Sequence, residues 1–222
     1  MRPLQTRKLL AEDVADRIRE EILAGGFQQG ERLVEAAIAQ QLGVSRGPVR
    51  EAFKLLRAEG LVKEEPHRGT FVVRLTSADV RDIYDLRAAI EARAAKQVAE
   101  RGRDADMRAM RRLLERLLQA ADSGDVAVVS RADLAFHEGV CHLTGNRRLH
   151  EVYMRNVPVL KNLMKLDEYI YRSLDDVAVE HEPLVAALES GDPAMAAARF
   201  ASHVERARDQ LATYIDALPD PR

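Results

Sequence analysis

The sequence predicts a mainly α-helical protein of two domains, in which a small N-terminal domain with a short β-ribbon precedes a larger all-α bundle. Three observations predict this fold class. Leu, Ala, Arg and Glu, which favour helices, dominate the 222 residues. An apolar fraction of 46% is ample for buried cores. Apolar residues recur at helical spacing along most of the chain, and no strand pattern is present from residue 78 onward.

Two short helices joined by a tight turn are predicted near the N-terminus, at about residues 35 to 42 and 46 to 59. Gly43 ends the first of them. Ser45 is placed as the N-cap of the second, with its hydroxyl accepting a free amide, and Pro48 is tolerated because it lies in the first turn. The arrangement predicts a helix-turn-helix.

The two faces of the second helix differ in chemistry. Its apolar residues should pack against the first helix, and they are Val49, Ala52, Phe53 and Leu56. A stripe of cations lies opposite, formed by Arg46, Arg50, Lys54 and Arg57. A helix of this width fits the DNA major groove, where Arg side chains reach guanine edges or phosphates. A solvated helix face often has the same stripe, so the flanking segments decide between the two interpretations.

A helix and a β-ribbon flank the motif. The helix is predicted over about residues 9 to 24 and ends at a pair of glycines, before a loop over residues 27 to 32. Downstream, two β-prone runs at 61 to 64 and 70 to 74 enclose a turn at 66 to 69. Such a ribbon forms a wing, and its tip carries His67 and Arg68.

Three segments of this region, GERLVE, LGVSRGPVREAFKLLRAEGLV and HRGTFV, resemble the GntR superfamily of bacterial transcription regulators, and within it the FadR-like subfamily. The resemblance implies operator contacts from Ser45, Arg46, Gly47 and Arg50. It also implies that the wing approaches the minor groove at His67 and Gly69, on either side of Arg68. Ala36 replaces an Arg of some members, and Gly47 replaces a commoner Thr. These two replacements affect which operator sequence is expected, and not the expectation that the protein binds DNA.

Charge and composition agree with a cytoplasmic DNA-binding protein. Residues 1–75 hold 13 Lys and Arg against 11 Asp and Glu, a net charge of +2, and the remaining residues have a net charge of −4. A local basic patch therefore serves an otherwise acidic protein. The single Cys141 excludes an internal disulfide framework. We find neither a signal peptide nor an apolar run of about 18 residues, and therefore expect a cytoplasmic protein without membrane contact.

The second domain is predicted to begin after residues 75 to 77, where Thr76 or Ser77 caps a new helix. This gives a winged helix-turn-helix DNA-binding domain at 1–75 and an all-α effector-binding and dimerisation domain at 76–222. Its helices are predicted at about 78–101, 104–122, 126–143, 147–166, 168–189 and 192–216. Pro158 and Pro183 should kink or shift the helices that contain them.

A scattered set of polar residues in this bundle suggests a metal site. Asp133 and His137 are four residues apart, so they project from one helix face. His181 and His203 lie on two later helices whose other periodic residues are apolar. Three His and one Asp form a borderline-soft donor set that suits Zn²⁺, Ni²⁺, Mn²⁺ or Fe²⁺. Each His, taken alone, is better explained as a hydrogen-bonded core or surface residue than as a metal ligand.

The same four residues resemble the metal site of the FCD domain, the C-terminal domain of FadR-like regulators, over about residues 78 to 215. The resemblance implies that Asp133, His137, His181 and His203 hold a divalent metal in a cavity that binds a small organic acid. It also indicates Arg87 as a bidentate partner for the effector carboxylate, although Glu91 is equally placed to pair with it. Family members that lack the metal residues bind acyl-CoA instead. Because all four residues are present here, the resemblance argues against an acyl-CoA ligand.

Together these observations predict a dimeric regulator, a repressor by default, that binds a pseudopalindromic operator and responds to a small carboxylate at the metal site. Two other regulators remain open: a sensor of the metal itself, and a regulator whose bundle only dimerises. A metalloenzyme is the least favoured alternative, because we find no general base or nucleophile around the His and Asp set.

Overall fold

The computed structural model describes residues 5–164 and 173–217, and gives the backbone alone for residues 5–9, 23 and 24. The chain divides into two compact units, Met1–Leu75 and Thr76–Arg222. In the first unit the chain forms a helix, a short strand, two helices and two strands. These elements are α1 (Gln5–Ala24), β1 (Arg32–Leu33), α2 (Glu35–Gln41), α3 (Arg46–Ala58), β2 (Val62–Glu65) and β3 (Gly69–Val72).

The three strands form one antiparallel sheet in the order β1-β3-β2. Arg32 pairs with Phe71, and Val62 pairs with Val72. The two wing strands were predicted to within two residues. Strand β1 was not predicted, because two residues are too short to show an alternating pattern, and Arg32 was assigned to the loop.

The helix-turn-helix forms as predicted, with one local difference. Gly43 adopts the left-handed conformation at φ +66°, which an L side chain disfavours, and α2 ends just before it. Pro48 lies in the first turn of α3, where it displaces no hydrogen bond of the helix. Ser45 occupies the N-cap position, but its hydroxyl makes no cap hydrogen bond, so the predicted bond to a free amide is wrong.

The core of this unit forms where α1 packs on α3. The apolar face predicted for α3 is buried, with Val49, Ala52 and Leu56 fully inaccessible. Ile18 of α1 and Leu33 of β1 are buried in the same cluster. The amphipathic division of α3 therefore fixes its orientation, because burial of the apolar face directs the cationic face outward.

The wing turn joins β2 to β3 through Pro66 and His67. The amide of Arg68 donates to the carbonyl of Glu65 over 3.0 Å, which closes a four-residue turn. Proline presets the first central position of such a turn, and the second central residue, His67, has φ +62°. A positive φ is uncommon for a residue other than glycine. The hydrogen bond that closes the turn holds His67 in this conformation, and its side chain therefore lies at the tip of the wing.

The second unit consists of helices in its described residues. They are α4 (Ser77–Arg101), α5 (Asp104–Ala121), α6 (Val126–Leu143), α7 (Arg147–Leu163), α8 (Leu174–Val179), α9 (Glu182–Glu189) and α10 (Pro193–Ala217). Thr76 caps α4 in a capping box with Asp79. The longest helices, α4 and α10, pack along each other, and α6 packs against α4, α5 and α7. No helix among the described residues is long and apolar enough to span a membrane.

The helix predicted over residues 168–189 is interrupted. Helix α8 ends at Val179 and α9 begins at Glu182, while 165–172 lie outside the described residues. Pro183 explains the break, because its ring clashes with the carbonyl four residues earlier and it lacks a donor. His181 therefore lies at a junction rather than within a helix. By contrast, α7 continues through Pro158 to Leu163.

Candidate functional site

The outer face of α3 presents the predicted stripe of cations. All four side chains are exposed, and they are Arg46, Arg50, Lys54 and Arg57. Ser45 and Gly47, at the start of the same helix, are also exposed. Four residues with predicted DNA contacts, Ser45, Arg46, Gly47 and Arg50, thus lie together at the N-terminal end of α3. A helix N-terminus also favours anions such as phosphate.

Most cations of this face have carboxylate partners. Arg50 donates from Nε and Nη2 to the two carboxylate oxygens of Glu35 over 3.1 and 2.9 Å. This bidentate contact holds the pKa of Glu35 below its ordinary value. Lys54 pairs with Glu51, and Arg57 with Glu64. A DNA phosphate has to compete with these carboxylates, so the charge of the stripe is partly neutralised in the free protein.

The wing carries the other predicted DNA-contacting residues. His67 and Arg68 are exposed at the tip, and Gly69 is half-buried at the start of β3. Arg68 forms an ion pair with Glu65, and its guanidinium lies 5.4 Å from the ring centroid of Phe71. The wing and the helix therefore form two exposed features of one unit, each with its own cations.

In the second unit, the structure brings together the four predicted metal ligands. One ligating atom from each of His137, His181 and His203 lies within 4.8 Å of the others. Oδ1 of Asp133 lies 2.7 Å from Nε2 of His181 and 3.6 Å from Nε2 of His137. All four residues are buried. Residues from α6, α10 and the junction before α9 thus converge at one point inside the bundle.

The hydrogen-bond partners of two histidines fix which nitrogen faces the cluster. Nδ1 of His181 donates to the backbone carbonyl of Val177 over 2.7 Å, and Nδ1 of His137 lies 2.6 Å from Oε2 of Glu91. A ring with its only proton on Nδ1 carries its lone pair on Nε2, and the two Nε2 atoms lie only 3.0 Å apart. Two lone pairs at this distance repel each other unless a cation lies between them.

His203 completes the donor set. Its Nδ1 is buried and has no hydrogen-bond partner among the described residues, with the nearest carboxylate oxygen, Oε2 of Glu180, at 3.9 Å. Burial and the neighbouring His181 and His137 hold the pKa of His203 well below its ordinary value, so the ring is neutral at pH 7. A neutral ring with an unpaired nitrogen is suited to metal ligation.

Asp133 supplies the negative charge of the set. Burial alone would raise the pKa of its carboxyl, but His137 and His181 outweigh burial and hold the pKa well below its ordinary value. Burial alone would lower the pKa of His137, but the charge of Glu91 holds it above its ordinary value in the metal-free protein, so a metal ion has to displace that proton. Three imidazole nitrogens and one carboxylate oxygen are then available as ligands. The residues present fit a divalent ion of borderline softness, and Zn²⁺, Ni²⁺, Mn²⁺ and Fe²⁺ all accept such ligands.

Arg87 lies beside this cluster but is engaged by Glu91. Its Nε donates to Oε1 of Glu91 over 2.7 Å, and both side chains are almost fully inaccessible, at 3% and 0%. The i,i+4 pair weighed as an alternative is thus present. Glu91 accepts from Arg87 with one oxygen and contacts His137 with the other, so it links the predicted effector residue to the predicted metal ligand.

Two residues of the site were not predicted as such. The sequence showed Glu91 as a partner of Arg87, but its contact with His137 depends on the packing of α4 on α6. Tyr153 of α7 is 1% exposed, and its hydroxyl has no partner among the described residues. Burial raises the pKa of Tyr153, and the charge of Glu91 adds to this effect. A single tyrosine within α7 matches no motif in the sequence, so Tyr153 could not be assigned to the site from the sequence alone.

Comparisons with known proteins assign both units. Residues 10–72 match the family model described as bacterial regulatory proteins, gntR family. Residues 82–206 match the FCD domain, which by itself covers more than half of the chain. The FCD match contains all four residues of the buried His and Asp cluster.

Among its relatives, the chain is 34% identical to the probable D-xylose utilization operon transcriptional repressor of Paenarthrobacter nicotinovorans, over 90% of this chain and 87% of that one. It is 26% identical to the gluconate operon transcriptional repressor of Bacillus subtilis, over 82% and 76% of the two chains. A solved structure of a putative GntR regulator from Rhodococcus sp. RHA1 is similar with a TM-score of 0.72 and 27% identity, and covers 94% of this chain and 99% of that one. These relatives are regulators rather than enzymes, and the chain belongs to the GntR family of bacterial transcription regulators as a member with an FCD domain.

Proposed function

We propose that this regulator binds a pseudopalindromic operator as a homodimer and represses transcription until a small organic acid binds at a divalent metal in its bundle. Residues 1–75 read the DNA, and residues 76–222 dimerise and bind the effector. Such a protein acts in the cytoplasm, where the bacterial chromosome lies. Repression is supported by the relatives named as repressors of the D-xylose utilization and gluconate operons.

The DNA-binding half of the proposal is supported by the division of α3 into a buried and a cationic face. Ser45, Arg46, Gly47 and Arg50 lie at the end of the helix that enters the major groove in helix-turn-helix proteins. The wing presents His67, Arg68 and Gly69. In a dimer with two-fold symmetry, two such helices about 34 Å apart match half-sites separated by one turn of DNA.

The effector half is carried by a single observation, the convergence of Asp133, His137, His181 and His203 inside the bundle. A divalent ion held there supplies Lewis acidity for carboxylate oxygens. Arg87 supplies a fixed positive charge beside it; Glu91 engages its Nε, and a guanidinium has four further N–H donors. A carboxylate is therefore the ligand class that both groups accept.

Control by the effector requires that it bind one arrangement of the dimer more tightly than another. The ligand cluster takes residues from three separate helical elements, α6, the α8–α9 junction and α10. A ligand that draws these elements together stabilises one packing of the bundle. Coupling of this packing to the spacing of the two DNA-binding units releases the operator.

Two variants separate the halves of the proposal. An operator is first selected from random duplex DNA with the full-length protein. Arg50→Ala is expected to abolish binding of that operator with an unchanged melting temperature, because Arg50 is exposed and its loss opens no cavity. Arg147→Ala, which removes an exposed and paired cation from α7, is the matched control and should bind normally.

His181→Ala is expected to bind the operator but to lose metal and the response to effector, whereas the exposed His142→Ala should retain both. Gluconate and other small hydroxycarboxylates are the first probes for release. Operator binding that survives Arg50→Ala contradicts the assignment of α3. Release by added metal alone, without any acid, contradicts the organic-acid effector and identifies a metal sensor.

A further inference from the structure

One cation of the DNA-binding unit, Arg32 of β1, has a position that the sequence did not indicate. Arg32 pairs with Phe71 across the sheet, and its side chain extends along β3 as far as Gly69. A Cβ atom built on Gly69 would lie 3.2 Å from Nε and 3.4 Å from Nη2 of Arg32. Gly69 also has φ +108°, a backbone conformation that favours glycine. The absence of a side chain at Gly69 thus lets this guanidinium lie directly on the backbone of the wing.

The charge of Arg32 is not neutralised within the described part of the unit. Most other cations there have a carboxylate within ion-pair distance, namely Arg17, Arg19, Arg50, Lys54, Arg57, Lys63 and Arg68. Arg32 and Arg46 make neither an ion pair nor a side-chain hydrogen bond to any described residue. Arg46 lies at the N-terminus of α3, where DNA contact is already proposed. Arg32 is its counterpart on the wing.

We propose that Arg32 is a DNA-contacting residue that binds a backbone phosphate beside the wing. This inference rests on the proposed operator binding by the same unit. The wing backbone at Gly69 approaches the duplex, and the guanidinium that lies on it arrives at the same place. Arginine binds phosphate through two parallel hydrogen bonds, and Arg32 has no carboxylate to release first. Arg32 therefore contributes its full charge to DNA binding, whereas Arg68 at the tip first has to break its ion pair with Glu65.

The salt dependence of binding tests this proposal. Because phosphate contacts do not depend on base sequence, a random-sequence duplex serves as the probe, and anisotropy gives the affinity of full-length protein across a salt series. Arg32→Gln should lower the magnitude of the slope of log affinity against log salt by about 0.9. Its defect relative to wild type should accordingly shrink about 3.5-fold between about 50 and 200 mM salt. Arg32→Lys retains the charge and should keep the wild-type slope.

Matched variants separate the failure of this inference from the failure of the proposed function. Arg17→Gln removes another exposed charge, from α1, and should leave the slope unchanged. Arg46→Gln should lower it. If wild type binds and only Arg46→Gln changes the slope, the Arg32 contact is wrong while DNA binding stands. If wild type binds neither this duplex nor the selected operator, the proposed function itself fails. The melting temperature of Arg32→Gln serves as a folding control. If it equals that of wild type, a smaller salt dependence reflects a lost phosphate contact rather than unfolding.

Discussion

Substitution of Glu91 by glutamine tests how the metal cluster and Arg87 depend on each other. Glu91 accepts from Nε of Arg87 with one oxygen and contacts Nδ1 of His137 with the other. A glutamine of the same size has a single oxygen, so its NH₂ group faces a donor whichever way the amide turns. Arg87 loses its counter-charge in both orientations. In one orientation its Nε also loses its acceptor, and in the other His137 has to move its proton to Nε2, the atom that faces the cluster.

The magnitude follows from burial. Arg87 and Glu91 are 3% and 0% exposed, and removal of one partner from such a pair costs about 3 kcal/mol or more because the other charge stays buried. For a protein of this size the melting temperature of the metal-free protein should fall by roughly 6 to 12 °C. Loss of the partner that orients His137 should weaken metal binding by about 10- to 100-fold.

Calorimetry of chelator-treated protein measures the first effect, and competition with a chromophoric chelator measures the second. Glu100→Gln is the matched control, because Glu100 lies on the same helix in an exposed pair with Lys96 at 4.0 Å. It should shift the melting temperature by no more than about 2 °C. If Glu91→Gln behaves like this control in both assays, the carboxylate neither compensates the charge of Arg87 nor orients the ring of His137.

Three further predictions concern other parts of the second unit. Tyr153→Phe should leave stability unchanged or raise it by about 1 kcal/mol, because the buried hydroxyl has no partner among the described residues; a loss of stability in thermal melts would reveal a partner. Thr76→Ala removes the capping box of α4 and should cost about 1 kcal/mol in denaturant titrations, and no cost would contradict the observed cap. The pKa of Glu91 and that of Asp133 lie below their ordinary values in the folded protein, so the unfolded chain takes up protons first. Metal-free protein should therefore lose stability as pH falls below about 4.5, and denaturant titrations that are flat from pH 5 to 3 would contradict this.

The helical elements were predictable because their ends have strong local signals. Helix α6 has the bounds predicted for it, 126 to 143. The side chain of Asp125 caps its start, and Thr144 is its C-cap. The division of α3 into two faces also required only periodicity. Such features depend on interactions within a few residues, which a single sequence displays directly.

Features that depend on tertiary packing were missed or left open. The break before His181 required a choice between a kinked and an interrupted helix at Pro183, and only the packed bundle settles it. The convergence of His181 and His203 on Asp133 links residues far apart in sequence, so it entered as an implication of the FCD resemblance rather than from spacing. The contact of Glu91 with His137 joins two helices, and no pattern within either helix indicates it.

The most direct test of the proposed metal centre is the metal content of the purified protein, measured for wild type, the double variant Asp133→Ala, His137→Ala, and the surface control His142→Ala. We expect about one divalent ion per chain in wild type and in the control, and none in the double variant. An equal metal content in all three proteins, or no metal in any of them after growth and purification with divalent ions present, would contradict a metal centre at these residues. The DNA-binding half of the proposal would then stand without it.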